Sequence, residues 1–96
     1  MKPRILVIDD EQAQREALAG HLRKQGYEVL QAQAGGPGVE LLQHHLVDLI
    51  LTDFRMPDMD GMAVLNAARQ INPAIEVIII TAYGTVEGAV DAMREG

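Results

Sequence analysis

The chain contains no cysteine and no tryptophan. The first absence excludes disulfides and any zinc site built on sulfur. Aromatic residues make up only 3%, two Tyr and one Phe. Positive charge is also scarce: 8 Lys and Arg stand against 14 Asp and Glu, for a net charge of −6. An acidic surface of this kind disfavours direct contact with phosphate backbones, so direct nucleic-acid binding is not expected of these residues. Long hydrophobic runs are missing too. The first apolar stretch, Ile5–Ile8, is too short for a signal peptide, and no run reaches membrane-spanning length. Neither a membrane nor a secreted location is indicated, and the chain reads as cytoplasmic.

What is present is regular. With 96 residues, 48% of them hydrophobic, the chain has material for one domain with a modest core. Short runs rich in β-branched residues occur at Ile5–Ile8, Glu28–Leu30, Leu49–Thr52 and Val77–Ile80. Between them, apolar residues recur with helical spacing. Leu18 and Leu22 lead to a stop at Gly26. Val39, Leu42 and Leu46 form a second set, Val64, Leu65, Ala68 and Ile71 a third, and Val86, Ala89, Val90 and Met93 a fourth. The start of the second set, "AGGPG", has no capping side chain, although Pro37 suits a first helical turn. The order is βα repeated four times. This argues for an α/β fold with a doubly wound parallel sheet covered by helices on both faces. The runs "LILT" and "VIII" are apolar throughout, as strands buried on both faces require.

The acids then fall at one edge. Asp9 and Asp10 end the first strand, Asp53 the third, and Thr81 the fourth. Ligands of open parallel sheets bind beyond the carboxyl ends of the strands. With strands one and three adjacent, three carboxylates converge, and two unit charges about 4 Å apart near a surface repel by roughly 4 kcal/mol. Such a cluster calls for a cation or for raised pKa values. Oxygen donors without His or Cys favour Mg²⁺. A carboxylate beside Mg²⁺ can attack phosphorus, giving an acyl phosphate, and the Thr81 hydroxyl can donate to a phosphoryl oxygen. Taken singly, each residue has a plainer reading. Asp-Asp-Glu before a helix can serve only as a negative N-terminal cap, Asp53 as a turn residue and Thr81 as a strand end. Their shared placement favours a site. His21, His44 and His45 fit solvated positions.

The stretches "ILVIDDE", "LILTDFRMPDMDGMAVL" and "VIIITAYGTVEGAVDAMREG" together resemble the response-regulator receiver domain of two-component signalling, over essentially the whole chain. The resemblance implies a flavodoxin-like sheet with strand order 2-1-3-4-5, and residues 1–96 as one receiver domain. It implies Asp53 as phosphoacceptor and Thr81 as switch hydroxyl. Mg²⁺ would be held by Asp10, Asp53 and the backbone carbonyl of Arg55, with Asp9 acting through water. It implies a histidine kinase as phosphodonor. The last stretch is most similar to receivers of nitrogen-regulation-type transcription activators, which carry an ATPase domain and a DNA-binding domain behind the receiver.

The family's fifth strand, its Lys-Pro pair and its fifth helix have no counterpart here, since no Lys follows Lys24. The domain is therefore expected to be C-terminally incomplete, a fragment of a larger chain, and to associate through its fourth strand and fourth helix. Two rival readings stand beside a phosphorylation-controlled module that is not itself an enzyme. One is a degenerate receiver acting only as a protein-interaction module. The other is an aspartate-nucleophile phosphatase, which needs Asp-x-Asp where this chain has adjacent acids. A flavin site is disfavoured because "DDEQAQ" would repel a phosphate.

Overall fold

The computed structural model describes residues 2–80. Seven elements follow one another: β1 (Arg4–Ile8), α1 (Gln12–Lys24), β2 (Glu28–Ala32), α2 (Gly35–His44), β3 (Leu49–Asp53), α3 (Gly61–Ile71) and β4 (Glu76–Ile80). The strands form one parallel sheet in the order β2-β1-β3-β4. The doubly wound α/β arrangement read from the sequence is thus present. The expected fourth helix, with Val86, Ala89, Val90 and Met93, lies outside the described residues, as does Thr81.

Alternation along β1 builds two cores at once. Leu6 and Ile8 enter a cluster with Leu42 of α2 and Val64 and Ala68 of α3. Ile5 and Val7 point the other way, into a cluster with Ala19, Leu18 and Leu22 of α1. Helices therefore cover both faces, which is why β1 has no polar residue between Ile5 and Ile8. Each such aliphatic side chain, once fully buried, contributes roughly 1.5–3 kcal/mol. Thr52 is the one fully buried polar side chain among the described residues. Its hydroxyl donates to the Asp53 carbonyl at 3.0 Å.

Local signals explain most element ends. After α1, Gly26 adopts φ +97°. Its N–H donates to Arg23 O at 3.0 Å, and Tyr27 N–H donates to Leu22 O at 3.2 Å. This paired closure needs a left-handed residue, which glycine supplies without strain. At α3, Asp60 is the N-cap and its Oδ1 accepts from Ala63 N–H at 2.8 Å.

Three expectations need adjustment. β2 runs to Ala32 rather than Leu30, because pairing with β1 continues through Gln31 and Ala32. β3 includes Asp53, which pairs with Ile80. Leu46 is not on the helical face with Val39 and Leu42. α2 closes at His44, and Leu46 stands in the following loop, 88% exposed, while Val47 is buried in its stead.

Candidate functional site

The site arises from strand order. β1 and β3 are neighbours in the register Ile8 to Thr52, so the next residue on each strand, Asp9 and Asp53, stands side by side at the carboxyl edge. Asp10 follows at the start of the connection to α1. One carboxylate oxygen from each of Asp9, Asp10 and Asp53 lies within 4.8 Å of the others. Asp9 and Asp53 are half-buried and Asp10 is exposed.

Asp9 is fixed on several sides. Its N–H donates to Ala32 O at 3.1 Å, and its carbonyl accepts from Arg15 Nη1 at 2.9 Å. Its Oδ1 accepts from Glu11 N–H at 2.9 Å. With the Gln14 amide oriented to satisfy its neighbours, the Gln14 nitrogen donates to Asp9 Oδ2 at 3.2 Å. Neither Asp9 nor Asp10 occupies the N-cap position of α1. Glu11 holds its N-cap position, no side chain caps it, and its first turn carries no acid. The two carboxylates instead face Asp53.

Electrostatics at Asp53 follow. Burial pushes its carboxyl above the ordinary carboxylate value, and the negative charge of Asp9 adds to this. N–H groups of Arg55 and Phe54 pull the other way, and Asp10 adds a further upward contribution. Among the described residues, such a group has gained negative neighbours without a positive one, which is the state a divalent cation relieves. The donor set is three hard oxygens with no nitrogen or sulfur, suited to Mg²⁺ rather than to zinc or copper. Arg55 lies two residues beyond Asp53 and is exposed.

The connection from Phe54 to Asp60 is held at both ends. Phe54 N–H donates to Ile80 O at 3.0 Å, and Phe54 O accepts from Gly61 N–H at 2.8 Å. A Cβ on Gly61 would lie 3.1 Å from the Asp53 carbonyl and 3.2 Å from Phe54 Cα, so a larger residue would press on this close return of the chain and the backbone would have to give by a few tenths of an ångström. Midway, Asp58 reaches across to α2. Its Oδ1 accepts from Gly35 N–H at 3.0 Å and its Oδ2 from Gly36 N–H at 2.6 Å. Sequence reading did not single out this contact. Its signal was indirect: "AGGPG" lacks a capping side chain, so a cap had to come from elsewhere. The grip on Asp9 by Arg15 and Gln14 had no distinctive signal. His21, His44 and His45 are exposed, as expected.

A family model described as the response regulator receiver domain matches residues 5–96. The transcriptional regulatory protein ZraR of Escherichia coli K12 is 44% identical over 92 residues, covering 96% of this chain and 21% of ZraR. The response regulator protein FleR of Pseudomonas aeruginosa is 35% identical over 96 residues, covering all of this chain and 20% of FleR. The chain thus spans about a fifth of the length of the curated relatives it matches. Among solved structures, a response regulator receiver domain protein from Clostridium thermocellum superposes with a TM-score of 0.81 at 35% identity, over 98% of this chain and 76% of that one. The response regulator TrrA of Thermotoga maritima, solved in complex with Mg²⁺-BeF, gives 0.80 at 36% identity, over 88% of this chain and 72% of TrrA.

Proposed function

The chain belongs to the response regulator receiver domain family, and on that premise we propose that Asp53 takes a phosphoryl group from a histidine kinase. The observation that carries this reading is the convergence of Asp9, Asp10 and Asp53 within 4.8 Å at the carboxyl edge of the sheet. An Asp53 oxygen attacks phosphorus in line. The new P–O bond forms as the P–N bond to the donor histidine breaks, and the imidazole leaves with the electron pair. The product is an acyl phosphate on Asp53.

Asp10, Asp53 and the Arg55 carbonyl would hold Mg²⁺, with Asp9 reaching it through water. The cation, when bound, offsets the charge of the cluster and of the incoming phosphoryl oxygens. The raised carboxyl of Asp53 and the all-oxygen donor set support this assignment, and the TrrA relative was solved with Mg²⁺-BeF. Asp9, gripped by Arg15 and Gln14, keeps the cluster negative. Thr81 is assigned as the switch hydroxyl on its place in the sequence, one residue beyond Ile80, the partner of Asp53 in the sheet.

In this reading residues 1–96 are one receiver module. It accepts a group, holds it and alters a partner surface, without acting as a multiple-turnover enzyme. The output is transcription regulation, as the names of the relatives ZraR and GlrR suggest. An ATPase and a DNA-binding domain elsewhere in the protein would execute it, in the cytoplasm. Among the described residues no helix is long and apolar enough to cross a membrane. β4 pairs with β3 alone among the described residues. Its free edge is where a further strand, from this or another chain, would add.

Phosphodonor labelling tests the reading. With Mg²⁺ and either acetyl phosphate or a phosphorylated histidine kinase, the protein incorporates phosphate at Asp53, and Asp53→Asn abolishes it. Label that persists in Asp53→Asn, or appears on Ser or Thr, refutes the assignment. A protein that takes no label at all would be a degenerate receiver serving as an interaction module.

A further inference from the structure

Asp58 occupies the middle of the connection between β3 and α3, five residues after Asp53 in the sequence. Its carboxylate is committed to backbone donors on a different helix, Gly35 and Gly36 of α2, at 3.0 and 2.6 Å. Its Oδ1 also accepts from Met59 N–H at 2.9 Å, which stiffens the connection itself. α2 has no cap of its own, because Ala34 stands at its N-cap position and offers no side-chain oxygen. Pro37 has no N–H, and Gly38 N–H already donates to Ala34 O at 3.1 Å. The two N–H groups Asp58 takes are therefore those of the first two helical residues, which a helix start leaves without intrahelical partners.

The glycines make this approach possible. A Cβ on Gly35 would collide with Met59 Cγ and lie 2.7 Å from its Sδ, and one on Gly36 would lie 3.1 Å from Asp58 Oδ2. The start of α2 and the β3–α3 connection are thus built as one joint. The backbone donors, Gly36 foremost, hold the Asp58 carboxyl below the ordinary carboxylate value, so it remains ionised at neutral pH.

We propose that Asp58 is a positioning residue for the acidic site: by clamping the β3–α3 connection onto the start of α2, it sets where Asp53 and the Arg55 carbonyl stand for the cation. The inference deepens the reading given above and rests on it. The connection is pinned to the sheet at Phe54 and to α3 at Asp60. Without the Asp58 contact to α2, the segment carrying Arg55 would be held by those two end contacts and by the packing of Met56 and Met59 against the core, with no polar tie to α2. The linkage is reciprocal. If the clamp favours the cation-binding geometry, the cation must favour the clamp by the same free energy.

The test is hydrogen–deuterium exchange on the full chain, with and without Mg²⁺, resolved into peptides. In the parent protein, Mg²⁺ slows exchange in residues 54–60 and also at the start of α2, in residues 35–38. In Asp58→Ala, the α2 start exchanges faster without cation. The Mg²⁺ concentration giving half protection of 54–60 rises about tenfold, the low end of what residues supporting a metal site contribute. Asp58→Asn keeps one acceptor oxygen, perturbs folding less, and falls between the two. Unchanged exchange in β1 and β3 shows that each variant is folded. Fraying of α2 with an unshifted Mg²⁺ midpoint in both variants overturns the proposal and leaves Asp58 a helix cap only. A parent protein whose exchange does not respond to Mg²⁺ overturns the metal reading itself, and this inference with it.

Discussion

Replacing Asp53 by Asn should make the cation-free protein more stable, even as it removes the proposed phosphoacceptor. Carboxylate oxygens of Asp9, Asp10 and Asp53 lie within 4.8 Å of one another. Two unit charges at about that distance repel by roughly 3.5 kcal/mol in an effective dielectric of 20, and by about 0.9 kcal/mol in bulk water. Asp53 is half-buried and Asp10 exposed, so the lower end applies. A net relief of about 1–2 kcal/mol is expected once the charge and its desolvation are removed. For a domain of this size that is a rise in Tm of roughly 5–10 °C.

The sign with pH is fixed by linkage. The carboxyl of Asp53 is raised in the folded state, so the folded state binds its proton more readily than the unfolded chain does. The penalty is complete above the raised value and disappears as pH falls towards the ordinary carboxylate range. The gain in Asp53→Asn over the parent should therefore be largest near pH 7 and shrink as pH approaches about 4. Mg²⁺ should narrow the gap from the other side. With a dissociation constant on the order of 1 mM, a concentration of about 10 mM stabilises the parent by roughly 1.4 kcal/mol and the Asn variant far less. Thermal unfolding followed by far-ultraviolet circular dichroism, at several pH values with and without Mg²⁺, measures all three effects. A variant no more stable than the parent at pH 7 without cation, or a gain that does not change with pH, would refute the reasoning.

Asp10→Asn should weaken Mg²⁺ binding more than Asp9→Asn, because Asp10 is the exposed acid proposed to touch the ion directly; amide signals around Asp10 and Asp53 that do not move on Mg²⁺ titration would contradict the site. The phosphate bond should be labile to hydroxylamine, and Asp60→Asn should leave Asp53 as the labelled residue, since the Asp60 carboxylate is engaged in capping α3. Gly38→Val should destabilise by about 1–3 kcal/mol. A Cβ there meets the Ile8 side chain, with Ile8 Cγ1 at 2.9 Å. A urea midpoint matching the parent's would show that the core gives way more easily than this contact suggests.

Much of the molecule was legible locally. The β1 run Ile5–Ile8 is apolar at every position because α1 covers one side of it and α2 and α3 the other; it was the alternation of such runs with helical segments that called for a parallel sheet. Gly26 and Asp60 act through hydrogen bonds to residues within a few positions along the chain, so their roles as helix stop and helix start are written beside the helices they bound. The acids at the strand ends were visible for the same reason. Their meeting was not a local matter. Asp9 and Asp53 are neighbours only because β3, and not β2, occupies the second side of β1 beyond a crossover, an outcome of burying both faces of the sheet at once. α2 makes the contrast plainest. Its sequence has the spacing of a helix but not the start of one, and the missing carboxylate arrives from Asp58, 22 to 23 residues away. Leu46 continues the α2 period in sequence, yet the helix closes two residues earlier and leaves it in solvent, while Val47 turns into the core. Periodicity records which side chains a helix could bury. Where the chain must leave that helix to enter β3 is decided by the position of the sheet, which no window of neighbouring residues contains.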